Sequence, residues 1–411
     1  MKPVDERLWA LRHEPEGPLV PFLDAFANYL DEQGYKRHPL GRQIRVVAKF
    51  SKWLQAEKVT AEGVTDRHVQ RFFKEALPPC SSRCGERAAL RRFVELLIRL
   101  DVIHPQPESS EATPIEQAVS AFGTYLRQEK SLSDRTLIQY CPIIERFLSE
   151  RFGEGSVAFD ALVIGDIVGF VRQQAEHLSI ERAKTTTTAL RSFFRYLRYS
   201  GKIKIDLAAA VPTVPGWSMT GIPRAISSNH VRAVFAHCPR DTSIGRRDYA
   251  ILLLLTRLGL RSGEIVALTL DSIDWETGVI TVVGKGNQTA SLPLPAEVGE
   301  AIADYLRNGR PSCGSRALFL RALAPIRGLG AQQTIATIVG AALKRAGIDT
   351  HHRGAHQFRH ALATDMLRQG ATLTEIGSVL RHRHAKTTGI YAKVDFIALR
   401  PLSQPWPGGE K

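Results

Sequence analysis

The chain is short of every feature that would place it in a membrane or outside the cell. Its longest apolar run, AILLLL from Ala250 to Leu255, falls far below the roughly 20 residues needed to span a bilayer. The opening MKPVDERLWALRHEPEG carries acids where a secretory signal has its apolar region. Cysteine is scarce: five residues, an odd number scattered through 411, fit reduced thiols better than a disulfide framework. These absences lead to the expectation of a cytoplasmic protein with no membrane partner. Cys80 and Cys84 have a pair-like spacing, but no second pair follows to complete a zinc site. Acids are the other shortage. Against 55 Lys and Arg stand 41 Asp and Glu, a formal charge of +14, which favours a polyanionic partner such as nucleic acid. An anionic membrane surface would account for the charge equally, but no apolar run supports it.

What is present reads as a soluble, multidomain, mainly α-helical protein. With 44% hydrophobic and 23% charged residues the composition is that of a globular protein, and 411 residues are too many for one ordinary core. Two stretches rich in proline and small polar residues, HPQPESSEATP and VPTVPGWSMTGIP, read as linkers. The expected division is a helical module at 1–103, a linker at 104–114, a second helical domain at 115–210, a linker at 211–225, a third domain at 226–400 and a tail at 401–411.

The first two segments resemble each other. AFANYL at 25–30 returns as AFGTYL at 121–126, Phe50 as Phe147, and ALRRF at 89–93 as ALRSF at 189–193. The offsets drift from 96 to 97 to 100, as they would in a duplicated unit whose loops have grown. Both segments have helical periodicity. In GRQIRVVAKFSKWLQ the apolar Ile44, Val47, Phe50, Trp53 and Leu54 form one stripe, and Arg42, Arg45, Lys49 and Lys52 follow another face. The second segment is expected to repeat this design, with Leu190, Phe193, Phe194 and Leu197 set against Arg191, Arg195, Arg198 and Lys202. A basic helical face is often merely solvated; two of them in one cationic chain point to phosphate contacts that position DNA without reading its sequence.

The third segment carries the chemistry and is expected to be mixed α+β. DYAILLLLTRLGLRSGEIVALTL reads as two helices joined at Gly259, with Arg261 at the start of the second, where free N–H groups favour an anion. GVITVVGKGNQTASLPLP reads as strand, glycine-rich turn and strand, with Lys285 at the hairpin tip. It is no P-loop: five residues separate Gly278 and Gly284 where that motif needs four, Gly286 replaces the Ser/Thr, and no helix follows. In GAHQFRHALATDMLRQG, His356, Arg359 and His360 share one helical face. The two histidines have the spacing of zinc ligands, but Gln357 stands where the glutamate of that motif belongs, and an arginine among them repels a cation and attracts phosphate. Thr372 and Glu375 form a capping box that starts a further helix. Between 351 and 393 there are seven Lys/Arg and two acids, so Tyr391 lies in strongly positive surroundings.

An arginine in GLRSGE, a lysine in a GKGN hairpin, HQFRH, LRH, and a tyrosine nine residues after that last histidine, in this order, resemble the catalytic domain of the tyrosine recombinases, the phage-integrase family. The likeness covers roughly 226–400, and 115–205 is similar to the family's helical, SAM-like core-binding domain. The resemblance implies two tandem helical DNA-binding modules followed by a mixed catalytic domain with a small β-hairpin or sheet. It implies Arg261, Lys285, His356, Arg359 and His382 as the activating set and Tyr391 as the nucleophile, with His360 in a supporting position. Two departures stand out: Arg381, where the family commonly has glycine, and the extra module at 1–103.

The chemistry makes sense of those residue types. A tyrosine with an ordinary pKa of about 10 is a weak attacker on an anionic phosphodiester. Arg261 and Arg359 would stabilise the non-bridging oxygens, His356 would take the tyrosine proton, Lys285 would protonate the leaving 5′-oxygen, and His382 would hydrogen-bond the phosphate. No metal and no cofactor are required. The expected partner is double-stranded DNA, bound by a multimer, a tetramer on two sites, with other recombinases as further candidates. The expected function is DNA integration or transposition for a mobile element. A type IB topoisomerase and a catalytically silent DNA-binding accessory protein are the competing readings.

Overall fold

The computed structural model describes residues 14–75, 84–104, 113–153, 155–215, 225–284, 286, 288–330, 332–350, 354–394 and 399–400. Cys80, Lys285, the tail at 401–411 and most of both expected linkers lie outside the described residues. Described residues up to 104 and from 225 onward form one compact unit, and those from 113 to 215 another.

Among the described residues the first module has four α-helices, α1 (Leu23–Glu32), α2 (Arg37–Ala56), α3 (Asp66–Glu75) and α4 (Cys84–Arg99). On α2 the apolar stripe does what its spacing requires: Ile44, Val47, Phe50 and Leu54 are buried while Arg42, Arg45, Lys49 and Lys52 are exposed. The second module is again four helices, α5 (Pro114–Gln128), α6 (Asp134–Phe152), α7 (Ile164–His177) and α8 (Ile180–Tyr199). Thr113 opens it with a capping box to Glu116, ahead of a proline at the first helical position, where its missing N–H costs nothing.

The residues that match between the two modules make the same contacts in both. Phe26 of α1 meets Phe93 of α4 edge-on at 5.1 Å and 82°; Phe122 of α5 meets Phe193 of α8 at 5.2 Å and 80°. Phe50 packs on Phe72 at 5.1 Å, and Phe147 on Phe170 at 5.2 Å. Edge-to-face pairs of this kind fix how helices seat on one another, so the two bundles share a packing plan as well as scattered residues. The second module also repeats the design of an apolar stripe with a basic face: on α8 Leu190, Phe193, Phe194 and Leu197 are buried while Arg195 and Arg198 are exposed, although this is not the helix that corresponds to α2. By the offset of 97 that relates Phe50 to Phe147, α2 corresponds to α6, whereas Arg191, Arg195 and Arg198 lie on α8, the counterpart of α4.

The third region begins with α9 (Ser228–Ala236), α10 (Ser243–Arg257) and α11 (Ser262–Ala267). The AILLLL run is the centre of α10, with all six residues 0% exposed: it is hydrophobic all round because it is surrounded, as a core helix is. Strands β1 (Ile273–Asp274), β2 (Val279–Val283) and β3 (Thr289–Pro293) form an antiparallel sheet in that order, with Val283 opposite Thr289 at the hairpin end. Helices α12 (Ala296–Asn308), α13 (Gln332–Arg345), α14 (His356–Arg368), α15 (Leu373–Val379) and α16 (Ala385–Thr388) follow, then a 3-10 turn at Gly389–Val394. This region touches the first module through the Ile326 N–H, which donates to the Gln33 carbonyl at 2.9 Å. Among the described residues no helix is long and apolar enough to cross a membrane.

Candidate active site

Arg261 is the N-cap of α11, and Glu264 three residues on closes back on it. The Glu264 carboxylate accepts from the Arg261 backbone N–H at 2.8 Å and from its Nη1 at 2.7 Å. Arg381 adds a third donor, Nη2 at 3.0 Å. Burial alone would raise the pKa of Glu264, but these donors and the charges of Arg381 and Arg261 outweigh it and hold the group below the usual carboxylate range. Glu264 is therefore a buried anion whose partners are all arginine. The sequence reading missed it, although the three-residue spacing from Arg261 is that of a capping box.

Arg359 comes from the first turn of α14 and is 2% exposed. Its guanidinium donates to the carbonyls of Gly259 and Leu380, tying the α10–α11 turn to the end of α15. Gly259 is needed there: φ is +55°, and a Cβ would stand 2.9 Å from Leu380 Cδ2 and 3.0 Å from Leu362 Cδ2. Burial, then the charges of Arg261 and Arg381, lower the pKa of Arg359 to about 10, which leaves it a cation at neutral pH. Three guanidinium groups (Arg261, Arg359, Arg381) thus gather around one carboxylate (Glu264), an excess of two positive charges. A buried cationic excess of this kind is stabilised by an anion.

Tyr391 sits on the 3-10 turn, 1% exposed, in a small apolar cluster with Ala363, Ile376 and Leu380. Its hydroxyl lies 3.0 Å from His360 Nδ1. Burial pushes the hydroxyl pKa up, and the Arg359 charge opposes that. His360 lies edge-on to the exposed His356 at 5.1 Å, so the helical face read from the sequence holds both rings, but His360 rather than His356 reaches the tyrosine. Desolvation, the neighbouring His356 and Arg359 bring the pKa of His360 down to about 4. His356 is lowered by desolvation, Arg359 and Arg261.

His382 stacks parallel to the Tyr391 ring at 6.4 Å and bonds the Thr388 hydroxyl through Nδ1 at 2.8 Å. Desolvation, then the surrounding arginines and His356, lower its pKa to about 4. A neutral His382 that accepts from Thr388 carries its proton on Nε2 and can donate it to an anion. Thr388, 3% exposed, was not foreseen as the partner of His382 Nδ1. Lys285 lies outside the described residues, but its hairpin is held at Gln288, whose Oε1 accepts from Arg383 Nε at 3.0 Å. Among the described residues no group of three His, Cys, Asp or Glu side chains is placed to hold a metal.

The expected DNA-contact residues are split between the two modules. On the second, Arg191, Arg195 and Arg198 line an open cavity of about 680 Å³ with Tyr199 and Asp206. Arg191 donates to the carbonyls of Val211 and Pro212 at 3.0 and 2.9 Å, Arg198 pairs with Asp206 at 2.7 Å, and Lys202 lies over the Phe159 and Tyr196 rings. These three hold local structure, and Arg195 stays exposed. On the first module Lys52 pairs with Glu16 at 3.1 Å in solvent, a weak contact, beside the exposed Arg42, Arg45 and Lys49.

The Tyr391 hydroxyl thus lies against His360, beside a cationic excess gathered around Glu264. Residues 224–397 match the model of the phage integrase family. The chain is 46% identical over 401 residues to y4rA of Sinorhizobium fredii, named an integrase/recombinase, with 97% of each chain covered. It is 30% identical to tyrosine recombinase XerC of Azotobacter vinelandii over 68% of this chain and 91% of that one. The fold is that of the XerH recombinase in a post-cleavage complex on its difH substrate (TM-score 0.56, 17% identity, 72% of this chain and 98% of that one). It is also that of a lambda integrase dimer on a core site (0.52, 16%, 72% and 98%). The chain belongs to the tyrosine recombinase (phage integrase) family, enzymes that cleave and rejoin DNA strands.

Proposed function

We propose that this chain is a site-specific recombinase of a mobile element, which breaks and rejoins duplex DNA through a 3′-phosphotyrosyl link at Tyr391. The observation that carries the reading is the Tyr391 hydroxyl, 3.0 Å from His360 Nδ1, close to the buried Arg359 and to Arg261 and Arg381, which share the Glu264 carboxylate. Arg261 and Arg359 stabilise the charge on the non-bridging oxygens. His382 donates from Nε2 to the phosphate. Attack by Oη forms the P–O bond as the bond to the 5′-oxygen breaks; the tyrosine proton passes to His360 Nδ1, and Lys285 supplies a proton to the leaving oxygen. The phosphotyrosyl bond keeps the energy of the broken one, so a 5′-hydroxyl of another strand reseals it without ATP.

The test is a covalent trap: a duplex nicked beside the cleavage position, so that the released fragment diffuses away, with the adduct read on a denaturing gel. A recombinase accumulates the adduct and pairs two sites as a tetramer. A topoisomerase relaxes supercoils without a second site, and a silent accessory protein gives no adduct.

His360 carries a pH prediction. With its pKa at about 4 it is neutral at pH 7 and able to accept a proton. Adduct formation is expected to hold from pH 8 to 5 and to fall only as pH approaches 4. An inflection near 6.5 would assign the proton to an unperturbed histidine instead. His360→Ala should slow adduct formation by about 10²-fold, the usual worth of a positioned base. Stability has a matching sign. The folded-state pKa values of His360 and His382, about 4, lie below the ordinary 6.5, so the unfolded chain binds more protons between those values. The unfolding midpoint should therefore be lower at pH 5 than at pH 7.

The first module is read as a second DNA-binding unit. Removing residues 1–103 should leave a folded enzyme, because the module's core is its own, and should weaken DNA binding. Replacing Arg42, Arg45, Lys49 and Lys52 with alanine should flatten log affinity against log salt by up to about 3.6, at about 0.9 per phosphate contact. An unchanged slope with failed pairing of two sites would make the module a protein-binding unit instead.

A further inference from the structure

Arg381 has an unfavourable backbone for a residue with a side chain: φ is +53°, in the left-handed region that glycine enters freely. Its side chain also turns inward. It is 13% exposed, although a surface arginine directly beside His382 had solvent available to it. A strained backbone and a buried cation persist together only where the surroundings hold both.

What holds them is the Arg261 site. Arg381 Nη2 donates to Glu264 Oε2 at 3.0 Å, and its Nη1 to the Val379 carbonyl at 3.1 Å. Its own carbonyl accepts from Arg261 Nη2 at 3.4 Å. Arg261 is thus gripped twice by one residue: through the Glu264 carboxylate that the two arginines share, and through the Arg381 main chain. The same carboxylate lies 3.7 Å from where a Cβ would stand on Gly284, the last residue before the hairpin tip. We propose that Arg381 is a positioning residue for strand cleavage, which shares Glu264 with Arg261 and so fixes the Arg261 guanidinium against the His382 turn. The competing role, a direct phosphate contact, requires an outward side chain, and this one points the other way.

The inference rests on the reading of Tyr391 as nucleophile, and the experiment separates the two. Adduct formation on the nicked duplex is followed in single turnover with saturating full-length protein, alongside DNA affinity at several salt concentrations and thermal unfolding. Arg381→Gly suits the left-handed backbone, so its unfolding midpoint should match the wild type or exceed it. Its adduct rate should fall roughly 10- to 100-fold, as expected when a reacting group is misplaced by a fraction of an ångström to an ångström. Affinity and salt slope should not change. Arg381→Lys should recover part of the rate. Glu264→Gln should also slow cleavage, and combining it with Arg381→Gly should cost no more than the worse single change, because both act through one contact. A wild-type rate in Arg381→Gly overturns the inference. So does a loss seen only in affinity, with the salt slope flattened by about 0.9, which would make Arg381 a phosphate ligand. If the wild-type chain itself forms no adduct, the reading of the site falls and the inference with it; if it does and Arg381→Gly matches it, only the inference falls.

Discussion

Tyr391→Phe is expected to abolish the covalent adduct and leave DNA binding intact. The change removes one oxygen and nothing else. The ring stays in its cluster with Ala363, Ile376 and Leu380, so no cavity opens. The lost partner is His360 Nδ1 at 3.0 Å, and one such hydrogen bond is worth on the order of 1 kcal/mol of stability. Folding should survive that. Tyr391→Ala is the contrasting change. It empties a site that is 1% exposed, and removing a large buried aromatic costs about 3–5 kcal/mol, enough to confuse loss of chemistry with loss of structure. The phenylalanine variant should therefore be compared with wild type by adduct gel, DNA titration and thermal unfolding together. Adduct at the wild-type level would remove Tyr391 from the mechanism.

The sequence shows which residues share a helix more clearly than which residues meet across the fold. Spacing alone puts His356, Arg359 and His360 on one face of α14, because the helical repeat is local. Whether His356 or His360 faces Tyr391 depends on how the 389–394 turn packs against that helix, and no periodicity encodes it. The Thr372–Glu375 capping box was legible for the same local reason, with Glu375 N–H bonded back to Thr372 Oγ1 at 3.3 Å. The repeat was legible at its apolar positions, since Phe26 is constrained by Phe93 and Phe50 by Phe72. The basic faces fall on helices that do not correspond, α2 in the first module and α8 in the second. Glu264 escaped notice because an acid in a search for cationic residues reads as surface, until the structure surrounds it with arginines.

Arg359 is where function and stability are hardest to separate, and Arg359→Ala is expected to damage both. As a donor to a non-bridging oxygen its loss should cost about 2.7–4 kcal/mol of transition-state stabilisation, or 10²- to 10³-fold in cleavage rate. As a structural group it bonds the carbonyls of Gly259 and Leu380 from a site that is 2% exposed. Each acceptor left buried without a donor costs about 1–3 kcal/mol. Arg261 supplies the control. Its side chain is 35% exposed and its carboxylate partner keeps Arg381, so Arg261→Ala should lose cleavage to a similar extent with a much smaller drop in unfolding midpoint. Arg359→Lys then separates the two roles: an ammonium keeps the charge and can bond one carbonyl but cannot make the forked contact. It should regain part of the lost stability and little of the lost rate, measured below the unfolding transition of every variant. Near-normal cleavage by Arg359→Lys would mean that charge alone suffices at this position, and the forked contact to phosphate would have to be given up.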